Sequence, residues 1–254
     1  MTAPIGPAGR RYLATVLAAV EADLGRDLPA GTTLVPTADR AGSGGATCYP
    51  FDGRSAVWCD PALVEVLAPL TGAVPLSAYE FVDRAVGLGC VRRGIGLNRV
   101  LDGAPVDPLV PLDGLVVRTL DPDDADDVAL VATLRAEVGD DDADDAELDL
   151  DDLDPHLVAV LEPAADGRPA RVLAFAGARP GDAVPFDDIA VLTHPDARRR
   201  GLGLAAVHAL VEHRRPSGTP AMYRCEADNV GSARIGERLG FDLVQTIGAV
   251  GRAG

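Results

Sequence analysis

The chain has 254 residues, of which 47% are hydrophobic, and it carries a formal net charge of −16 at pH 7. This length suits one large domain or two small ones, and the negative charge argues against a nucleic-acid partner or an anionic membrane surface. No apolar run reaches transmembrane length. The short run after Arg10 and Arg11 leads straight into Glu21 and Asp23, as in an amphipathic helix and not a signal peptide. We therefore expect a cytoplasmic protein.

The four cysteines, at positions 48, 59, 90 and 225, stand singly, without a Cys-x-x-Cys pair or a histidine-rich segment beside them. Isolated thiols of this kind are typical of buried small side chains in a reducing compartment. The sequence therefore predicts no metal site.

Residues 1–112 are predicted to form a separate, smaller α+β module. An amphipathic helix ends near residue 24, and strands are predicted at 32–36, 46–51 and 55–59. Asp60 caps a following helix, and the capping-box residues Ser77 and Glu80 open the next one. The role of this module is not predicted by any motif.

A second basic, glycine-containing stretch lies at residues 92–97, Arg-Arg-Gly-Ile-Gly-Leu, and it mirrors residues 199–204. No apolar strand precedes it in the right place, and the residues after it begin a helix poorly. A strand or turn is therefore the favoured interpretation. The alternative is that residues 92–97 are a degenerate first copy of the motif at 199–204.

A domain boundary is predicted at 104–114, where three prolines disfavour both helix and sheet. Residues 115–254 then form the second domain. Its first elements are a strand at 115–120, a helix from Asp124 to Val138 that ends at Gly139, and strands at 157–162 and 171–177. The acidic run over 121–154, which contains Arg135 as its single basic residue, is expected to be solvated surface.

The most informative stretch is 187–213. Residues 189–192 are apolar and partly β-branched, as in a buried strand, and Pro195 ends that strand. Arginines and two glycines at 198–203 then lead into a helix with an apolar face. The first turn of such a helix offers unpaired N–H groups and positive potential, and glycines let an anion approach those groups closely. This arrangement predicts a phosphate-binding turn. It is not a Walker loop, because no Gly-Lys-Ser/Thr follows.

These residues resemble the GCN5-related N-acetyltransferases, or GNAT family, whose acyl-CoA loop has the form Arg/Gln-x-x-Gly-x-Gly/Ala. Arg198, Gly201 and Gly203 match that loop, and a second family feature, an Asn followed by a short helix ending in Leu-Gly-Phe, is matched by Asn229 and residues 239–241. The resemblance covers residues 115–250. It implies an α+β GNAT fold, with a mixed, mostly antiparallel sheet flanked by helices, preceded by the smaller module. That module could itself be a degenerate GNAT-like half.

The resemblance implies acetyl-CoA, or another short acyl-CoA, as cosubstrate. The pantetheine arm would pair with the strand that precedes the loop, and the diphosphate would lie on the loop amides. The residues implied in binding are Val191, Leu192, Thr193, Arg198, Arg199, Arg200, Gly201, Leu202, Gly203, Leu204, Asn229 and Ser232.

The resemblance also implies catalytic roles. Asp187 and Asp188 stand at the start of the central strand, where several GNAT enzymes carry the general base. Many members use a tyrosine in the last helix to protonate the leaving thiolate, but this chain has Gly236 at that position. Tyr223, on the preceding strand, is the candidate substitute. The alternative is that the thiolate, from a thiol with an ordinary pKa of about 8.5, leaves without a dedicated acid.

The function implied is transfer of an acetyl group to a primary amine, on a small molecule or a peptide, by direct attack in a ternary complex. Two alternatives stay open. One is a non-catalytic acyl-CoA-binding or regulatory protein. The other is a tandem-type transferase in which residues 1–112 shape the acceptor site.

Overall fold

The structure is a computed structural model that describes residues 5–121, 123–139, 157–165, 169–180 and 186–253. Its helices are α1 Pro7–Leu24, α2 Val64–Leu67, α3 Ala78–Gly87, α4 Ala125–Val138, α5 Leu202–Arg214 and α6 Val230–Arg238. Its strands are β1 Gly31–Pro36, β2 Gly45–Phe51, β3 Arg54–Cys59, β4 Cys90–Leu101, β5 Val116–Leu120, β6 Leu157–Glu162, β7 Arg171–Pro180, β8 Asp187–Thr193, β9 Ala221–Glu226 and β10 Asp242–Arg252.

The chain divides into two compact units. The first unit combines residues 1–100 with 224–233 and 242–254, and the second unit combines 101–223 with 234–241. These units are grouped by contact and each is discontinuous in sequence, whereas the predicted domains 1–112 and 115–254 follow the chain. The predicted boundary therefore stays a prediction.

In the first unit the strands lie in the order β1-β3-β2-β10-β4. β1 pairs with β3 in parallel, and the remaining neighbours are antiparallel. Apolar side chains of α2 and α3 pack on this sheet in a core that includes Leu63, Leu67, Phe81, Val82 and Ile95. Residues 92–97 lie within β4, paired with β10. The favoured prediction of a strand or turn for this repeated motif is thus confirmed.

In the second unit the strands lie in the order β9-β8-β7-β6-β5. β5 to β8 are antiparallel neighbours, and β8 pairs with β9 in parallel. Helix α4 packs against β7, and α5 packs against β6, β7 and β8. The predicted mixed, mostly antiparallel sheet with flanking helices is confirmed.

Local sequence signals explain several of the element ends. Ser77 and Glu80 form the predicted capping box at the start of α3, and the Asp124 carboxylate accepts from the Asp126 N–H at the start of α4. Gly240, with φ +84°, follows α6 in the left-handed conformation that glycine commonly adopts at the end of a helix. The sequence also predicts a turn at 165–167 between β6 and β7. Its residues 166 and 167, like most of the acidic run, over 140–154, lie outside the described residues.

Three of the cysteines, Cys48, Cys59 and Cys90, are buried free thiols, and Cys225 is half-buried. Burial raises the pKa of the Cys48 thiol to about 12, so this thiol stays protonated and unreactive at neutral pH. The predicted role of the cysteines as small core side chains is confirmed for these three. Within the described ranges, no helix has the length and apolar character needed to cross a membrane.

An ion pair between the exposed Arg118 and the buried Asp127 joins β5 to α4. Arg118 donates through both terminal nitrogens to the carboxylate of Asp127, which also accepts from the backbone N–H of Asp121. Asp127 is 6% exposed. The hydrogen bonds from Arg118 are the main reason that the pKa of Asp127 lies below its ordinary value.

Because the pKa of Asp127 is lowered on folding, its ionised form stabilises the folded state at neutral pH, and that contribution disappears as the pH falls below about 4. We expect Asp127→Asn to lower the free energy of unfolding by about 1–3 kcal/mol at pH 7. The difference from the parent protein should shrink as the pH is lowered. Urea unfolding at pH 7 and at lower pH measures both values, and an equal difference at every pH would contradict the role given to this carboxylate.

Candidate functional site

The central strand β8 loses its parallel partner partway along its length. It pairs with β9 only from Asp187 to Ile189, opposite residues 221–223, while its pairing with β7 continues to Thr193. No described strand of the second unit pairs with the β9-facing edge of residues 190–193. Backbone donors and acceptors on that edge are therefore free of ladder partners and can bind an extended ligand.

The turn after β8 is built by local contacts. The backbone N–H of His194 donates to Leu173 O at 2.9 Å, and its imidazole Nδ1 accepts from the Asp196 N–H at 3.1 Å. These bonds hold residues 195–197 in a 3₁₀ turn. The chain then passes through two left-handed residues, Arg199 with φ +65° and Gly201 with φ +81°. Left-handed residues in such turns direct successive N–H groups toward one side, which favours anion binding.

Helix α5 begins directly after this turn without a side-chain cap. Its first intrahelical bond runs from the Ala205 N–H to Gly201 O at 3.0 Å, so the N–H groups of residues 202–204 precede the helical ladder. A Cβ atom at Gly203 would lie 2.6 Å from the Thr193 hydroxyl oxygen. The helix can approach the end of β8 this closely only because residue 203 has no side chain.

The arginines of the loop supply positive charge beside these amides. Arg199 and Arg200 are exposed, and Arg198 donates through Nε to Thr193 O at 3.3 Å. Bare N–H groups, the helix dipole and guanidinium groups together form a suitable receptor for a diphosphate. The predicted residues 198–204 and 191–193 are thus neighbours in one unit, and the binding of acyl-CoA that the family resemblance implies for them stays a prediction.

Asp187 lies at the other end of β8, where the predicted base meets a partner that sequence reasoning missed. Its two carboxylate oxygens accept from Nε and Nη2 of Arg214, each at 2.9 Å. The side chain of Asp187 is 3% exposed and that of Arg214 is 16% exposed. Asp187 is therefore held in a bidentate, buried ion pair. The signal for this pair was available, since a helix that returns antiparallel to its strand brings its last turn to the strand's first residue.

Asp188 points to the opposite face of β8, because successive side chains of a strand alternate. The same face carries Ala190 and Leu192, which pack in the core cluster that contains residues of α4. Asp188 is half-buried, and Arg179 of β7 stands opposite it in the ladder. The two predicted carboxylates thus occupy different environments.

Tyr223 is the last residue of β9 that pairs with β8, opposite Ile189. It is 1% exposed, and its ring centroid lies 5.7 Å from that of Phe241. Tyr223 therefore stands where the two strands cease to pair. Its role as the acid that protonates the thiolate stays a prediction.

Asn229 and Ser232 lie in the first unit. The Asn229 side-chain oxygen accepts from the Ser232 N–H at 3.0 Å, so Asn229 caps the N-terminus of α6. Their contact with a cosubstrate stays a prediction. Gly236 is a buried residue of α6, and among the described residues no group of three or more His, Cys, Asp or Glu side chains is placed to hold a metal ion.

Comparisons with known proteins give a family match over part of the chain, and a fold. Residues 189–247 match a family described as FR47-like protein. Similar solved structures include a GCN5-related N-acetyltransferase from Sphaerobacter thermophilus, with 15% identity, a TM-score of 0.50 and coverage of 68% of this chain and 55% of that one. A GCN5-related N-acetyltransferase from Kribbella flavida has 20% identity and a TM-score of 0.48, over 68% of this chain and 64% of that one.

An acetyltransferase of the GNAT family from Colwellia psychrerythraea covers 82% of this chain and 81% of its own, with 13% identity and a TM-score of 0.45. No protein of curated function matches the sequence. At these identities the structural likeness shows the fold alone, and the chain spans less than two thirds of the Sphaerobacter and Kribbella proteins.

Proposed function

We propose that the protein is an acyl-CoA-dependent N-acyltransferase. The premise is that the C-terminal half of this chain is a GNAT-type domain, with an FR47-like match at residues 189–247. It would transfer acetyl from acetyl-CoA to a primary amine by direct attack in a ternary complex. The observation that carries the proposal is the close packing of Gly203 on Thr193. This packing sets the uncapped amides of α5 beside the open edge of β8.

Acetyl-CoA supplies an acyl group activated as a thioester. The amides of residues 202–204 and the guanidinium groups of residues 198–200 would bind its diphosphate. The open edge of β8 at residues 190–193 would pair with the amide groups of its pantetheine arm, as a strand pairs with an extended peptide. All of these proposed contacts are made by backbone groups or by arginine side chains.

The carbonyl oxygen gains negative charge during attack, and a backbone N–H on the open edge of β8 is suited to stabilise that charge. The attacking amine must lose a proton. We assign this step to Asp188, which is half-buried and lies on the face of β8 opposite the Asp187–Arg214 pair. Tyr223, at the point where β8 and β9 part, is our candidate donor to the departing thiolate.

A second candidate function is binding of acyl-CoA without transfer. The observation that favours it is Gly236, a buried glycine in α6 at the position that would carry the family's tyrosine. If Tyr223 does not replace that tyrosine, the thiolate leaves without an acid and transfer is slow. Both functions require the same cosubstrate site.

Two measurements test these functions in order. A ligand that binds only the folded state raises the melting temperature, so saturating acetyl-CoA should stabilise the full chain. Absence of any shift would overturn both functions. Release of free thiol from acetyl-CoA in the presence of a panel of primary amines then separates the transferase from the binding protein, because only the transferase releases thiol in an amine-dependent way.

We expect Gly203→Ala to lower the affinity for acetyl-CoA by about tenfold or more. The added methyl group would meet the Thr193 oxygen at 2.6 Å, so the helix start must move away from β8 at a cost of about 1–3 kcal/mol. Calorimetric titration measures the affinity. The matched control is Gly87→Ala at the end of α3, where a Cβ would meet nothing within 4 Å, and it should bind as the parent does. Equal affinities in the two variants would contradict the proposed site.

A further inference from the structure

A proline-containing segment that precedes the GNAT-type elements lies against the candidate site. Residues 106–110, here called the strap, are tied to the end of α6 within the second unit. The Val106 N–H donates to Leu239 O at 3.0 Å, and Arg238 Nη2 donates to Pro108 O at 3.1 Å. The predicted interdomain linker is therefore a fixed part of this unit.

The strap also reaches the anion-binding turn. A Cβ atom on Gly201 would lie 3.3 and 3.4 Å from the two methyl carbons of Val110, so Val110 packs directly on this residue. Gly203, two residues later, faces Thr193 and Val191 of β8 in the same way. The first turn of α5 thus has two walls, with β8 on the side of Gly203 and the strap on the side of Gly201.

Leu109, next to Val110, has an unusual conformation. Its φ is +48°, a left-handed value that costs a leucine about 1–3 kcal/mol and is most often retained at functional sites. Its side chain is 82% exposed, so burial within the described chain does not repay this strain. A large apolar side chain is therefore held in solvent beside the wall that Val110 forms.

We propose that the strap is the nucleoside-binding wall of the acyl-CoA site, with Leu109 contacting the adenosine and Val110 positioning the turn. This inference rests on the proposed function. A diphosphate bound to the α5 amides has two ester substituents. The substituent on the Gly203 side would follow the open edge of β8, which suits the amide-rich pantetheine arm. The substituent on the Gly201 side meets the strap, where an apolar side chain suits the face of a purine.

The test replaces Leu109 by asparagine, which tolerates the left-handed conformation and removes the apolar contact. We expect the affinity for CoA to fall about tenfold, in keeping with the loss of one buried leucine contact. The affinity for adenosine 3′,5′-bisphosphate, which lacks the pantetheine arm, should fall by the same factor. Titration calorimetry with each compound measures both. Leu109→Gly, which removes the side chain without strain, should give the same losses with an unchanged or higher melting temperature.

The matched control is Leu88→Asn, an exposed leucine just after α3 in the first unit, which should bind both compounds as the parent does. Val110→Ala tests the positioning role. Val110→Ala should raise the KM for acetyl-CoA several-fold with an unchanged kcat. The conservative variant Val110→Ile should keep the KM of the parent protein. Affinities of both Leu109 variants within twofold of the parent would overturn the inference, as would a loss for CoA without a loss for the bisphosphate. A parent protein that does not bind CoA would instead refute the proposed function.

Discussion

Asp187→Asn is expected to lower the free energy of unfolding by about 3 kcal/mol. The substitution removes the carboxylate to which Arg214, whose side chain is 16% exposed, donates through two nitrogens, and breaking a buried ion pair in this way typically costs about 3–5 kcal/mol. A cavity of about 140 Å³ is lined in part by Asp187, Arg214 and Arg215. Water in that cavity can hydrate the remaining charge, so we expect the lower end of the range. Urea unfolding of the full chain measures the change.

The pair of Glu212, in α5, with Arg215, directly after α5, is the control for this measurement. Glu212 accepts from Arg215 at 3.1 Å, but these side chains are 34% and 53% exposed. An exposed pair contributes little, so Glu212→Gln should change the free energy of unfolding by no more than about 0.5 kcal/mol. If Asp187→Asn lowers the free energy of unfolding by no more than Glu212→Gln does, the Asp187 pair is not a major stabilising contact. Adding Arg214→Met to Asp187→Asn should recover part of the loss, because it removes a half-buried charge that no longer faces the Asp187 carboxylate.

Asp188→Asn is expected to lower kcat by about 100-fold with the acceptor amine identified in the panel, since a general base commonly contributes factors of 10²–10⁴. The KM for acetyl-CoA should not change, because Asp188 lies outside the turn that binds the diphosphate. Raising the pH should restore part of the lost rate in the variant, as more of the amine is then deprotonated in solution. Steady-state thiol release measured across a pH series gives all three quantities.

Asp39→Asn is the control for this experiment, since it makes the same change of charge at an exposed position of the first unit. It should leave kcat unaltered. If Asp188→Asn turns over at the parent rate, the base is another group. If Asp187→Asn shows the larger kinetic defect at a temperature where both variants are folded, the assignment of the two carboxylates must be reversed.

Much of the fold could be predicted from local sequence signals. The capping box at Ser77, the cap at Asp124 and the left-handed Gly240 mark element ends through contacts with near neighbours. Strand partners could not be predicted in this way. The parallel pairing of β1 with β3 and the place of β10 between β2 and β4 depend on contacts between residues far apart in the chain.

In the candidate site, too, features set by local sequence could be predicted and features set by distant contacts could not. Gly201 and Gly203 were recognisable because their chemistry is local, and the structure gives each a close neighbour that explains the absence of a side chain. The partner of Asp187 lies 27 residues away, and its identity follows only from the direction of α5 against β8. The strap was predicted as a linker because prolines disfavour regular structure, but irregular backbone can still be fixed by hydrogen bonds such as that from Arg238 to Pro108.

The location of β10 bears on how the protein can be dissected. This strand, at the C-terminal end of the sequence, has both of its partners, β2 and β4, in the first 101 residues. A fragment that began at residue 115 would retain β10 with neither neighbour, so its backbone donors and acceptors and buried side chains such as Val250 would face solvent. Exposed strands of that kind pair with other molecules and aggregate. We therefore expect residues 115–254 to need the N-terminal half of the chain to cover β10 and remain unaggregated.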